Sequence, residues 1–456
     1  MAMTPAAPRV ILRRCETPDP ARVHAIVREC FEELGVRPSG RVLIKPNVVT
    51  ANRVYIHHSY THPGVIEGIV STLREGGVSD ITVGESSGIG IPPGLFLHEA
   101  GYDALARRIG VRLVDFNQDA ATWVDLKRAV CQKGFHVPRA VLDADTKIWA
   151  PKLKYHICCE VTNALKLNIG ILQHRDRMVC HDDRLNDKIV DLLEIGWPDL
   201  VVTDATTVGH GFESAPQGFP LGLLLVADNP LAADAVAGAA LGYRPENIVH
   251  LRIASERGYG TISLDAIGIS GDYPLDELAS KTKHIVSEYQ DIHRVETPLK
   301  FYCGDNPATG RFCYGGCLAA VKGALGTTDK RRPGSVRNAQ PGGIVTGDYG
   351  GDVLHAGQTV FLVGDCTHVA GRFEARRVVR LRGCPVRASQ LLMRLPRAFR
   401  MPSPMSDGRS AAQFVYYTLR HALVRLFGRG VRTGATSAAT PCQGAGAGPR
   451  LQRHPG

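Results

Sequence analysis

The sequence predicts an α/β fold: a mostly parallel sheet with helices on both faces, followed by a smaller cysteine-bearing module. Three observations lead there. From Arg9 to Leu241 short apolar runs alternate with stretches of helical periodicity, as expected of strands buried on both faces. Glycine and proline punctuate the ends of these runs. Further on, four cysteines stand beside glycine or proline, in Phe312-Cys313-Tyr314-Gly315-Gly316-Cys317, Gly364-Asp365-Cys366 and Gly383-Cys384-Pro385, where the backbone can turn closely around a ligand.

The elements follow in order. Arg9 to Arg13 reads as a strand. Asp19-Pro20 supplies an N-cap carboxylate and a proline at the first helical position, and Val23, Ile26, Val27, Cys30 and Phe31 follow at helical spacing until Gly35 closes the helix. Arg41 to Lys45 is a short strand ending at Pro46-Asn47. A helix from about Pro63 puts Val65, Ile66, Ile69, Val70 and Leu73 on one face and stops at Gly76-Gly77. Strand Asp80 to Val83, a glycine-rich loop from Gly84 to Gly90, a helix through about Ile109 and strand Val111 to Phe116 complete this half. Thr146 to Pro151 is a strand and Arg184 to Ile195 a helix. Leu200 to Asp204 and Leu223 to Ala227 are buried strands, and Asn229-Pro230 opens an alanine-rich helix reaching Leu241. The pattern fades between Tyr289 and Pro298, which reads as a linker. The chain thus divides into an α/β domain over 1–290, a cysteine-bearing module over 300–395 and a basic tail over 396–456. In the tail only Ala411 to Phe427 looks helical, and 430–456 is expected to be disordered.

Bulk properties exclude several classes. The net charge of +10 invites a nucleic-acid reading, but from Gly371 onward the chain has 16 arginines, no lysine and only Glu374 and Asp407 as acids, so the preceding body is mildly acidic. The basicity belongs to the tail, and no nucleic-acid partner is expected. No apolar run is long enough for a transmembrane helix, and the N-terminus lacks a secretory pattern. Twelve cysteines without an export signal fit a cytoplasmic location, where grouped thiols are ligands more often than disulfides. The arginine-rich tail helix is expected to pack on the body rather than on a membrane.

Several motifs carry chemistry. Lys45-Pro46-Asn47 sits at a strand end, the edge where open α/β sheets bind ligands. Glu85 and Ser86 open a loop whose N–H groups suit phosphate or carboxylate, although it is neither a Walker loop nor a dinucleotide fingerprint. Lys152, Lys154 and His156 lie at another strand end, with Asn163 and Lys166 close behind. Grouped cations depress one another's pKa, which is how a lysine becomes a usable base. Asp204 ends a buried strand and either acts in catalysis or caps the following loop. His174 and His181 with Asp176, Asp182 and Asp183 fit no ligand spacing and read as a polar surface loop, and His57, His58 and His62 precede a helix. Cys15, Cys30, Cys131 and the adjacent Cys158-Cys159 read as packing residues. Cys303 is a spare ligand beside the C-terminal four.

Lys45-Pro46-Asn47, Gly84-Glu85-Ser86, Pro151 to His156, Asn163 to Gly170, Asp199 to Asp204 and Asp228-Asn229-Pro230 through Asp234 occur in an order that resembles domain of unknown function 362. The resemblance covers about Arg41 to Gly271 and implies an α/β domain, in a family sometimes found with iron–sulfur modules. The glycine-flanked cysteines resemble those of its longer, cysteine-bearing members and imply a cluster or metal. There is no ferredoxin-type run of closely spaced cysteines, and Leu167 separates the family's lysine and asparagine.

The reading that results is a cytoplasmic redox enzyme acting on a small anionic organic substrate. Lys154, His156, Lys166 and Asp204 would be catalytic, and Lys45, Asn47, Glu85, Ser86, Lys152 and Asn163 would bind substrate. Cys313, Cys317, Cys366 and Cys384 would hold a 4Fe–4S cluster, with zinc or another divalent ion as the alternative. An electron-transfer partner would follow. Two other classes stand beside it: an iron–sulfur carrier or assembly protein without a substrate, and a metal-independent epimerase-type enzyme needing only opposed bases.

Overall fold

The computed structural model describes residues 7–51, 58–88, 93–211, 217–285, 289–404 and 408–427. The first helix, Pro20–Leu34, starts as its sequence dictates: Asp19 accepts from the Arg22 amide, and Gly35 ends it with φ +68. Helix Pro63–Glu75 is capped by His62, whose ring accepts from the Gly64 amide. Asn229 caps helix Pro230–Ala240 through the amides of Leu231 and Ala232. The run expected to be one helix through Ile109 is two, Pro93–Glu99 and Tyr102–Ile109, with Gly101 between them at φ +81. The run from Arg184 likewise divides into Leu185–Asp191 and Leu193–Gly196.

The main sheet has ten strands. Its path runs Gly268–Gly271, Arg9–Arg14, Gln217–Ala227, Leu200–His210, Thr146–Ala150, Val42–Pro46, Ile81–Glu85 and Arg112–Asp115. Lys152–His156 pairs with Leu200–His210 and with Glu160–Thr162. Most pairings are parallel, but Leu200–His210 and Gln217–Ala227 run antiparallel over a long register, as do Arg9–Arg14 and Gln217–Ala227. Alternate side chains feed separate cores on the two faces. Val10, Leu12, Leu43, Val201 and Leu225 enter one, and Ile11, Val42, Ile44, Val202 and Leu224 enter the other. Both faces are covered, so the strands read as continuous apolar runs.

A second, six-stranded sheet begins at Leu299–Cys303 and carries the cysteines. Its strands Gly342–Tyr349, Val353–Val369 and Phe373–Leu381 pair parallel in a winding register, Gly342 opposite Thr359 and Thr359 opposite Arg377. Short connections therefore stack the chain on itself as a small parallel coil. Helix Cys317–Arg331 packs against helix Ala388–Ala398 beside it. The tail helix Gly408–Phe427 rests on helix Pro93–Glu99, with Tyr417 against His98 at 5.6 Å between ring centroids. The expected disordered stretch, 430–456, lies outside the described residues. Among the described residues no helix is long and apolar enough to cross a membrane.

Candidate functional site

The strand ends bring lysines and carboxylates together as two buried ion pairs. Lys45 closes Val42–Pro46, Glu85 closes the adjacent Ile81–Glu85, and their side chains meet at 2.9 Å with almost no solvent exposure. Glu85 also accepts from the Val48 amide at 3.1 Å. Lys152 lies directly opposite Asp204 in the parallel pairing of their strands, and this pair too meets at 2.9 Å. Burial pulls both ammonium groups below their ordinary range, and the facing carboxylates push back. Burial works against ionised Asp204, but Lys152, the His62 amide and Thr206 together hold its pKa below the usual value. Gly170 packs on the first pair: a Cβ there would come within 2.6 Å of Lys45 Nζ. Lys45 and Glu85, and Lys152 and Asp204, thus face one another as buried pairs inside the protein.

The remaining polar residues divide in the same way. Lys154 Nζ donates to the Ser59 carbonyl at 2.6 Å and to Asn47 Oδ1 at 3.4 Å. Asn163 accepts from Thr203 Oγ1 and donates to the Ala233 carbonyl, tying the strand Leu200–His210 to helix Pro230–Ala240. The loop after Glu85 differs from the anion cradle expected of it. The Ser86 amide donates to Glu85 itself, the Gly88 amide donates to Val49, and the Ser86 and Ser87 carbonyls hold the buried guanidinium of Arg177. Residues 89–92 lie outside the described residues.

Lys166 is different. It is half-buried on the short helix Ala164–Leu167 and makes no hydrogen bond or ion pair with the described residues. Its charge reaches Lys45 and three histidines, His156, His181 and His250. Burial first, and Lys166 next, hold all three rings neutral: His156 well below its ordinary value, His181 and His250 down at about 3. Their hydrogen bonds assign tautomers. His156 Nδ1 accepts from the Cys158 amide at 3.0 Å, so its proton sits on Nε2. His181 Nδ1 donates to the Gly315 carbonyl at 2.8 Å, which makes Nε2 the acceptor nitrogen. His156 is thus protonated on Nε2 and His181 on Nδ1, and the Lys166 charge acts on both rings.

The four C-terminal cysteines line one cavity, together with Asp182, Asn306, Thr346 and Gly347. The parallel coil explains their meeting. Thr346 pairs with Val363, so Gly347 and Gly364 occupy equivalent turns, and both have the left-handed backbone that glycine tolerates. Cys366 follows Gly364, and Cys384 follows Gly383 one turn later. Cys317 begins helix Cys317–Arg331 and accepts weakly from the Val386 amide at 3.5 Å, and Cys313 lies just before it. The glycines make room: a Cβ on Gly316 would come within 3.0 Å of the Cys313 sulfur, and one on Gly364 within 2.9 Å of the Cys317 sulfur. Burial pushes all four thiols up, Cys317 to about 12, and neighbouring cysteines add to the effect at Cys313, Cys317 and Cys384. Among the described residues no three His, Cys, Asp or Glu side chains stand where they could hold one metal ion.

Residues 180–184 join the two clusters. His181 belongs to the Lys166 group, and Asp182 lines the cysteine cavity. The expectation of a polar surface loop here is corrected: Asp176, Asp182 and Asp183 are all buried, held respectively by His136, Arg184 and Arg311. Tyr314 adds a second tie, its hydroxyl accepting from Asn186 and its carbonyl from the Cys158 thiol. His250 escapes sequence reasoning, because it is an ordinary histidine on a helix until the fold sets it under the influence of Lys166. Asp234 accepts from the amides of Ala164 and Leu165, and burial still lifts it to about 7.

The lactate racemase apoprotein of Thermoanaerobacterium thermosaccharolyticum is 8% identical, with a TM-score of 0.36 over 74% of this chain and 68% of that one. The thylakoid-associated protein sll1697 of Synechocystis sp. is 25% identical over 310 residues, which span 64% of this chain and 90% of the relative. Residues 42–239, the stretch holding Lys45, Glu85, Lys152, Lys166, His181 and Asp204, match the model of a family described as a domain of unknown function, DUF362.

Proposed function

We propose that the protein is a redox enzyme of the cytoplasm, acting on a small organic anion held at Lys166, with a 4Fe–4S cluster carried by Cys313, Cys317, Cys366 and Cys384. The observation that carries this reading is the shared segment at His181-Asp182, one residue of which is coupled to Lys166 while the next lines the thiol cavity. The donor set suits the group: four thiols, glycines where a Cβ would crowd the sulfurs, and an amide N–H on one sulfur. A single tetrahedral zinc needs its sulfurs gathered at about 2.3 Å from one point, whereas a cluster takes each thiolate on a separate iron. Such a centre supplies one-electron chemistry, and its positive charge would reverse the upward push on the thiols.

The chain's own residues supply the rest. Lys166 makes no ion pair with the described residues, and it can pair with an incoming carboxylate or phosphate. His156, protonated on Nε2, can donate to a developing negative oxygen, and His181 Nε2 can accept a proton. Asp204 and Glu85 are taken up by Lys152 and Lys45 in the interior. An electron-transfer partner would approach on the side of the exposed Cys384.

The pair of oppositely disposed imidazoles also favours a second reading, proton transfer at a carbon beside a carboxylate, with the thiols structural. Anaerobic protein mixed with a panel of small carboxylates and phosphates separates the two. Substrate-dependent bleaching of a visible band, lost in Lys166→Met, supports the redox reading. Solvent deuterium entering the substrate without any spectral change overturns it.

A further inference from the structure

Cys131 reads from sequence as an isolated packing thiol, yet it meets Cys180, and neither belongs to the cavity described above. The two thiols lie close enough for each to shift the other's ionisation. Cys180 Sγ also lies 3.6 Å from the Cys131 carbonyl, and Cys131 Sγ lies 3.6 Å from the Arg184 carbonyl. Both backbones are fixed. Asp191 accepts from the Cys131 amide at 2.8 Å, and Lys188 Nζ grips the carbonyls of Asp176, Arg177 and Val179 just before Cys180. Cys180 itself sits at φ +53, a left-handed conformation uncommon for a non-glycine residue. Strain of that kind persists where the surroundings over-determine it, and it concentrates at functional positions.

We propose that Cys131 and Cys180 form a thiol–disulfide exchange site that closes reversibly on reaction with a low-molecular-weight disulfide. Cys131, partly exposed, is the sulfur such a reagent meets. The Cys131 proton passes to the Cys180 thiolate, the Cys131 sulfur attacks the reagent and releases one small thiol, and Cys180 then gives up that proton and displaces the second from the mixed disulfide. Two protein thiols are oxidised by two electrons, one reagent disulfide is reduced, and the two thiol protons leave with the released thiols. The Cys131 thiol, the Arg184 guanidinium and Lys188 hold Cys180 down at about 7, against burial, so its thiolate is available near neutral pH. Because His181 follows Cys180 directly, the bridge would tie the 127–134 loop to the segment shared by both clusters.

The test uses the full chain with glutathione disulfide as probe, followed by an acid quench, alkylation and tryptic mapping without reductant. The expected product joins peptide 129–133 to peptide 178–184. Alkylation of both cysteines should fall together by about tenfold or more and recover with dithiothreitol. Cys131→Ser and Cys180→Ser should each abolish the linked peptide. The proposal fails if both thiols stay fully alkylatable, if glutathione remains on either one without the link, or if either cysteine pairs elsewhere. Peptide masses separate this pair from thiols of the C-terminal cavity, so the outcome is independent of any cluster.

Discussion

His181 donates from Nδ1 to the Gly315 carbonyl across 2.8 Å, and this bond joins a lysine–histidine group in the first domain to the turn between Cys313 and Cys317. The carbonyl can only accept, so the bond fixes the ring's tautomer as well as its position. Replacing His181 by Phe keeps the ring's bulk and removes both functions. We predict that the variant folds but loses anion-dependent activity by at least about tenfold, as expected for removal of a group that moves a proton. Steady-state rates beside a circular-dichroism melt would show whether catalysis and folding separate.

Lys166 and Lys152 should respond oppositely to removal of their charge. Lys166 has no partner among the described residues, so Lys166→Met should leave the melting temperature nearly unchanged while abolishing stabilisation by small carboxylates in a thermal-shift titration.

Lys152→Met strands a buried Asp204 carboxylate, which should cost about 3–5 kcal/mol in urea denaturation. Adding Asp204→Asn should restore most of that loss, since the uncompensated charge disappears. A double variant no better than the single would show that the pair is not coupled.

Gly170 explains why a glycine ends the Lys166 motif. A methyl group there collides with both members of the Lys45–Glu85 pair. Gly170→Ala should destabilise the protein by about 1–3 kcal/mol, the usual range for overpacking. The measurement is again a denaturant midpoint, with Gly110→Ala as a poor control because its φ is +61 and Gly357→Ala as a suitable one in open space.

His250 supplies a pH signature. Burial, then Lys166, lowers it to about 3, so the folded protein refuses a proton that the unfolded chain accepts below about 6.5. Its contribution to stability is therefore complete above about pH 6.5 and is lost as pH falls towards 3, at up to about 1.4 kcal/mol per pH unit. His250→Gln should lose less stability than the wild type between pH 7 and pH 4.5. Equal losses would remove His250 from the acid limb.

Much of the main sheet was readable from residues close together in the chain. Asp19-Pro20 with Gly35, and Asn229-Pro230, fix helix ends through local hydrogen bonds, and alternation of apolar runs marks strands covered on both faces. Strand direction was not readable, because Leu200–His210 and Gln217–Ala227 present the same apolar run whether they pair parallel or antiparallel. The lysines were visible as chemistry, but their neutralising partners were not: Glu85 lies 40 residues from Lys45, and Asp204 meets Lys152 only through strand register. The four glycine-flanked cysteines were visible as candidates, but not that they would line one cavity, because the coil that stacks Gly347, Gly364 and Cys384 has no fixed sequence period to betray it. Cys131 and Cys180 illustrate the limit of spacing arguments, since loops far apart in sequence bring them together.

The most direct measurement is the iron and acid-labile sulfide content of anaerobically purified full-length protein, read together with its visible spectrum. We predict about four irons and four sulfides per chain and a broad visible band, both lost in Cys317→Ser and Cys366→Ser. Colourless, iron-free protein whose four cavity thiols all remain alkylatable would contradict the account.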